Sequence, residues 1–232
     1  MNTSFLTRLF DLIAPRQCPV CGHRLSPTES VVCAHCLIDM PYTDFAQSPY
    51  DNEMARHFWG LMPVERVAAL FYFSPQSSLA SLIYDMKYHD RPDIAQGLGQ
   101  MMARELSETA FFEGIDAIIP MPITRWRQWH RGYNQSEMIA RGISQVTALP
   151  ILDKAVRRTR FLTSQTHLSH WQRHENTAGS FRLCHPDIVE GRHLLLVDDI
   201  VTTGATLVSL ATAMQQVPDV RFSIATLGYT KS

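Results

Sequence analysis

Residues 194–207 read Leu-Leu-Leu-Val-Asp-Asp-Ile-Val-Thr-Thr-Gly-Ala-Thr-Leu, and no other stretch restricts the fold of the chain so tightly. The run from His193 to Val197 predicts a strand, since a short apolar segment of this length suits one buried on both faces. Two adjacent carboxylates, Asp198 and Asp199, come at its carboxyl end. A hydroxyl-rich loop with one glycine follows, and residues 205–216 predict a helix with Leu207, Leu210, Ala211 and Met214 on its inner face. Such a strand needs parallel neighbours and helices over both faces, and ligands of these sheets gather at the carboxyl ends of the strands.

The residue types in this segment point to a phosphate cradle. Backbone amides at a helix N-terminus carry partial positive charge and suit a phosphate monoester. Thr202, Thr203 and Thr206 add hydroxyl donors beside the amides of Gly204 and Ala205, and Gly204 lets the backbone approach an anion closely. Asp198 and Asp199 repel a phosphate but suit ribose hydroxyls or a magnesium ion. An ordinary strand-to-helix turn with threonine caps is the plainer alternative. The chain has no Walker loop, and Gly97-Leu98-Gly99 lacks the third glycine of a dinucleotide fingerprint.

Elsewhere the same alternation recurs. Residues 67–73 predict a buried strand, and Leu79, Leu82, Ile83 and Met86 mark a helix face. Ile94, Leu98, Met101 and Met102 suggest a second helix, residues 115–120 a short strand, and Met138, Ile139, Ile143 and Val146 another helix. Residues 220–227 close an α/β series whose expected form is a parallel sheet with helices on both faces.

Near the N-terminus, Cys18-Pro19-Val20-Cys21 and Cys33-Ala34-His35-Cys36 form two knuckles with eleven residues between them. Two residues between cysteines let one turn aim both thiolates at a single ion, so Cys18, Cys21, Cys33 and Cys36 are expected to hold a structural zinc. His23 and His35 are close enough to be alternative ligands, whereas Cys184 stands alone. The expected organisation is an N-terminal helix and four-cysteine zinc-finger module over residues 1–40, a linker over 41–66, and an α/β domain over 67–232.

The net charge is -1, which excludes a global attraction to nucleic acid or anionic lipid. Phe5, Leu9, Leu12 and Ile13 share one helical face, but Arg8 and Asp11 interrupt any signal-peptide core, and no stretch approaches the roughly 20 apolar residues of a membrane span. A cytoplasmic protein without membrane insertion is expected, with reduced thiols. The basic residues are nearly all arginine and cluster locally. Residues 124–131 hold Arg125, Arg127 and Arg131 with Trp126 and Trp129 and no acid, a mixture that single-stranded DNA grooves use. Residues 154–174 hold Lys154, Arg157, Arg158, Arg160 and Arg173, again with no acid, and read as a basic surface loop.

The Asp-Asp-Thr-Thr-Gly segment resembles the phosphoribosyl pyrophosphate loop of type I phosphoribosyltransferases, and the chain as a whole resembles the ComF family of competence-associated proteins, in the order Asp198-Asp199, then Thr202-Thr203-Gly204. The resemblance is carried also by the cysteine knuckles, Tyr84-Asp85-Met86-Lys87-Tyr88, Ile119-Pro120-Met121-Pro122, Arg131-Gly132-Tyr133-Asn134-Gln135, Arg158-Thr159-Arg160 with Gln165, and Arg173 with Asn176. It implies a type I phosphoribosyltransferase-like fold that binds phosphoribosyl pyrophosphate with magnesium. Asp198 and Asp199 would be the catalytic pair that holds the ribose, residues 202–206 would hold the 5'-phosphate, Lys87 and Arg158 would stand towards pyrophosphate, and Arg131 would order the rim of the cofactor-binding site. It also implies a role in DNA uptake, natural transformation or use of external DNA, with single-stranded DNA or a DNA-translocation protein as partner. Two uses stay open at this stage: a phosphoribosyl transfer whose acceptor the sequence does not reveal, and an adaptor that keeps the fold as a ligand sensor.

Overall fold

In the computed structural model, which describes residues 16–159 and 179–231, the described residues run through seven α-helices, three short 3-10 helices and six strands. The expected N-terminal helix face and the residues Arg160, Gln165, Arg173 and Asn176 lie outside the described residues. After helix α1 (Ala34–Ile38) and helix α2 (Glu53–Phe58) comes strand β1 (Val67–Tyr72), then helices α3 (Ser78–Tyr88) and α4 (Pro92–Ser107). Strand β2 (Ala117–Pro120) precedes helices α5 (Arg125–Arg131) and α6 (Gln135–Thr147). Strands β3 (Val156–Arg158) and β4 (Phe181–Leu183) pair antiparallel beside the main sheet, and β5 (His193–Val201), helix α7 (Ala205–Thr212) and β6 (Arg221–Tyr229) complete the series.

The main sheet has four strands in the order β1-β6-β5-β2, all parallel. Leu194, Leu195, Leu196 and Val197 are all 0% exposed. Because successive side chains of a strand point to opposite faces, this continuous burial means that both faces of the sheet are covered. Among the described residues, no helix is long and apolar enough to cross a membrane.

Two elements end elsewhere than the apolar pattern suggests. Strand β5 continues past Val197 to Val201, because β6 goes on pairing with it through Val201 opposite Tyr229. Helix α7 stops at Thr212 rather than residue 216. The next turn tightens, with the Met214 amide donating to the Ala211 carbonyl, and this brings Met214 and Val217 into the core.

Residues 41–66, expected to be a linker, fold onto the sheet. The Thr43 amide donates to the Leu70 carbonyl and the Tyr72 amide to the Pro41 carbonyl, so this segment covers the free edge of β1. Asn52 caps α2 by accepting from the Ala55 amide, and Met54 and Phe58 of that helix are fully buried.

At the amino end of the sheet, buried Arg66 donates to the carbonyls of Ala110, Phe111 and Glu113, while His193 Nε2 lies 2.9 Å from the Ser223 hydroxyl. This network satisfies backbone groups that burial would otherwise leave unpaired. Burial holds His193 below the ordinary histidine range.

Glycines set the approach of three layers. Val31, between the two knuckles, seats against Gly97 of α4, where an added Cβ would meet its Cγ2 at 1.9 Å. Gly99 faces the Ile139 backbone of α6, and Gly142 of α6 faces the Gln96 carbonyl, at 2.3 and 2.1 Å from an added Cβ. Gly97-Leu98-Gly99 is thus a packing seam inside a helix. Gly142→Ala should cost about 1–3 kcal/mol, since overpacking outweighs the roughly 1 kcal/mol that alanine contributes to a helix interior. Urea unfolding that finds the variant as stable as the parent would contradict this packing account.

Candidate functional site

The register of β5 opens the site. On one flank β2 stops at Pro120 opposite Val197, while on the other β6 continues four residues further. Asp198 and Asp199 therefore lie within a strand but just beyond the end of one neighbour, and both are partly exposed. Asp198 Oδ1 accepts from the Ser136 hydroxyl at 3.0 Å and from the Asp199 amide at 2.9 Å. Asp199 Oδ1 accepts from the Ile200 amide at 2.8 Å, and its Oδ2 lies 2.6 Å from Lys87 Nζ. Burial first, and then the charge of Asp199, push the Asp198 carboxyl up to about 7, against the pull of its hydrogen bonds and of Lys87.

Beyond the acids, Thr202 and Thr203 are exposed and Gly204 turns the chain into α7 with φ +67. No side chain caps this helix: its N-cap is Gly204 itself, so the plainer reading of threonine caps does not describe the turn. Ala205 and Thr206 occupy the first turn, where amides lack intrahelical acceptors. Gly204 is required for a second reason, because an added Cβ would meet Phe58 Cε1 at 2.7 Å. The segment expected as a linker thus backs the loop directly.

Lys87 is held in place by residues far along the chain. The Tyr133 hydroxyl and Gln135 Nε2 both donate to the Met86 carbonyl, the latter at 3.2 Å. Asn134 caps α6 by accepting from the Ser136 amide and donates from Nδ2 to the Met121 carbonyl at 3.0 Å. The 133–136 turn therefore pins the end of β2, the end of α3 and Asp198 together. Arg131 donates to Gln135 Oε1 at 3.1 Å and lies over the Tyr88 ring. Arg158 of β3 is half-buried over the Phe181 ring. Burial holds it below the usual arginine range, with the charge of Arg127 acting in the same direction and that of Asp198 opposing.

The structure joins Asp198, Asp199 and Lys87 directly, leaves Arg158 stacked on Phe181 within electrostatic reach of Asp198, and ties Arg131 to Gln135 and Tyr88 rather than to the acids. Sequence reasoning missed Ser136, Arg127 and Phe58 as neighbours of this site. Ser136 could have been found from its place at a helix start following β2, whereas no local pattern marks Phe58.

The N-terminal cysteines converge as their spacing requires. Their four sulfurs all lie within 4.8 Å of one another, with Cys21 and Cys33 at 3.6 Å. Thiolates placed tetrahedrally about 2.3 Å from zinc stand about 3.8 Å apart, so this set suits a structural zinc. Burial and the three other sulfurs raise the Cys36 thiol, as expected where only a cation lets four thiolates coexist. Glu29 braces the set by accepting from the Ser26 and Ala34 amides at 2.6 and 2.7 Å.

No protein-family model matches the chain. Over 197 residues the chain is 30% identical to DNA utilization protein YhgH of Escherichia coli, covering 84% of this chain and 82% of that one. The chain belongs to the family of DNA utilization protein YhgH. It is also 30% identical over 179 residues to competence protein F of Haemophilus influenzae, covering 75% of this chain and 74% of that one. The resemblance to competence-associated proteins read from the motifs is therefore borne out. Among solved structures, the glutamine phosphoribosylpyrophosphate amidotransferase of B. subtilis superposes loosely, with a TM-score of 0.42 and 19% identity. That match covers 61% of this chain and 30% of the amidotransferase.

The raised Asp198 has a consequence for this YhgH relative. Its native form binds a proton that the unfolded chain, with an aspartate near 3.8, has already released. Stability should therefore fall as pH rises from about 4 to about 7. Asp198→Asn should remove much of that slope and stabilise the protein at neutral pH, which denaturant midpoints measured at a series of pH values will report. Parallel pH profiles for parent and variant would rule this out.

Proposed function

We propose that this YhgH-family protein acts in the use or uptake of external DNA and binds magnesium-bound phosphoribosyl pyrophosphate at the end of β5. The observation that supports this most is the pair Asp198 and Asp199 at the open flank of the strand, next to an uncapped helix start. Carboxylates there suit ribose hydroxyls and a hard cation, while the amides and hydroxyls of residues 202–206 suit the 5'-phosphate. Lys87, Arg131 and Arg158 would balance the pyrophosphate. Lys87 would exchange Asp199 for the ligand, and the magnesium ion or the ribose hydroxyls would take the place of the ammonium at that carboxylate. If the protein is a phosphoribosyltransferase, these residues position the sugar and stabilise departing pyrophosphate while a nitrogen nucleophile attacks.

A second reading is favoured by α5, in which no residue is buried. Its tryptophans do not cover the sheet edge, since Trp129 is 83% exposed. An adaptor that handles single-stranded DNA or a DNA-translocation partner would use such a surface. The acceptor assay separates the two: pyrophosphate release that depends on an added base or amine selects the transferase, and ligand binding without turnover selects the sensor.

Replacing both acids, Asp198→Asn with Asp199→Asn, should weaken magnesium-dependent phosphoribosyl pyrophosphate binding at least tenfold while circular dichroism stays unchanged; unaltered affinity in calorimetry removes these residues from the site. In the N-terminal module, Cys18, Cys21, Cys33 and Cys36 are proposed to hold one structural zinc per chain. Elemental analysis of freshly purified protein should find it, Cys33→Ser should lower it, and protein free of zinc would end the proposal.

A further inference from the structure

We infer that Tyr84, Tyr88 and Arg131 form a stacking platform for the bases of single-stranded nucleic acid, an inference that deepens the DNA reading above. Among the described residues, eight large apolar side chains are strongly exposed, and four of them, Tyr84, Tyr88, Trp126 and Trp129, lie on α3 and α5. Aromatic surface left in water at this density is characteristic of a binding surface rather than of a core.

The rings are arranged, not scattered. Tyr84 and Tyr88, one turn apart on α3, have centroids 4.8 Å apart and are 54% and 56% exposed. His89 meets Tyr84 edge-on at 5.2 Å, and the Arg131 guanidinium lies 5.7 Å from the centre of the Tyr88 ring. On α5, Trp126 and His130 stack with their planes only 4° apart. The two helices therefore present planar groups joined through one guanidinium, and planar π-faces accept any base without regard to sequence.

Charge sets the direction of the strand. Helix α5 carries Arg125, Arg127, His130 and Arg131 and no acid. The α3 side carries Asp85, bound to His89 at 2.8 Å, and Asp90 beside Gly132. Phosphates are thus drawn along α5, whose cations face no acid on the same helix, and the exposed tyrosines of α3 are left to the bases. A strand laid this way passes one residue from Lys87 and so borders the anion site.

The test is fluorescence anisotropy of a labelled oligo-dT with the full-length chain across a salt series. Tyr84→Ala with Tyr88→Ala should weaken binding about tenfold or more with an unchanged salt slope, because stacking is lost and no phosphate contact is. Tyr84→Phe with Tyr88→Phe should bind as the parent does. Arg125→Ala, which removes a phosphate contact on α5 and no stacking group, should instead reduce the slope of log affinity against log salt by about 0.7. Free thymidine monophosphate should compete poorly, since it lacks the strand. Equal affinity in the alanine pair, equal loss in the phenylalanine pair, or full competition by the monophosphate overturns the platform. Calorimetry with magnesium and phosphoribosyl pyrophosphate on the same preparations is a separate arm. Ligand binding without DNA binding overturns the platform and leaves the anion site standing, while the reverse removes the anion site alone.

Discussion

Strand β5 is paired along its whole length by β6 but only over its first half by β2. This inequality creates the site. Beyond Val197 the backbone of β5 has no strand on its β2 side, and Asp198 and Asp199 are the first residues past the end of that pairing. The shortfall is filled instead by the turn that starts α6, where Ser136 reaches Asp198 and Asn134 ties back to Met121. The carboxylates are thereby held between rigid elements while one flank of the strand stays open.

The carbonyl of Met86 has a comparable place on the other side of the site. It accepts from Tyr133 and Gln135, which lie 47 and 49 residues further along the chain, and the next residue is Lys87. The last turn of α3 then offers its lysine inward to Asp199 and its tyrosines outward to solvent. One helical turn thus serves two surfaces of different chemistry, with Arg131 touching both the Gln135 latch and the Tyr88 ring.

Much of this was legible in the chain itself, for identifiable reasons. The short apolar run of Leu194 to Val197 pointed to a strand covered on both faces, and the paired knuckle spacing of the cysteines pointed to four sulfurs at one place; both are found. The length of β5 was not legible, because it depends on how far β6 continues rather than on the apolar run. The folding of residues 41–66 was hidden for a related reason. Edge pairing by Pro41 and Thr43 leaves no periodic trace, and α2 is too short to show one beyond Met54 and Phe58. The contact of Phe58 with Gly204 joins positions that no local pattern relates. Of the arginines, Arg127 was assigned to a DNA loop, yet its charge is felt at Arg158 beside the acids.

The seating of Val31 on Gly97 has a consequence for how such a chain can change over time. Positions 31, 97, 99, 139 and 142 form one line of contact from the cysteine knuckles through α4 to α6. A larger residue at any of the glycines must be met by a smaller one or a shifted backbone opposite, so these sites are free to vary only in concert. The knuckles are consequently not a detachable tag that could be exchanged between proteins. Transplanting them onto another sheet would require carrying the groove of α4 along with them.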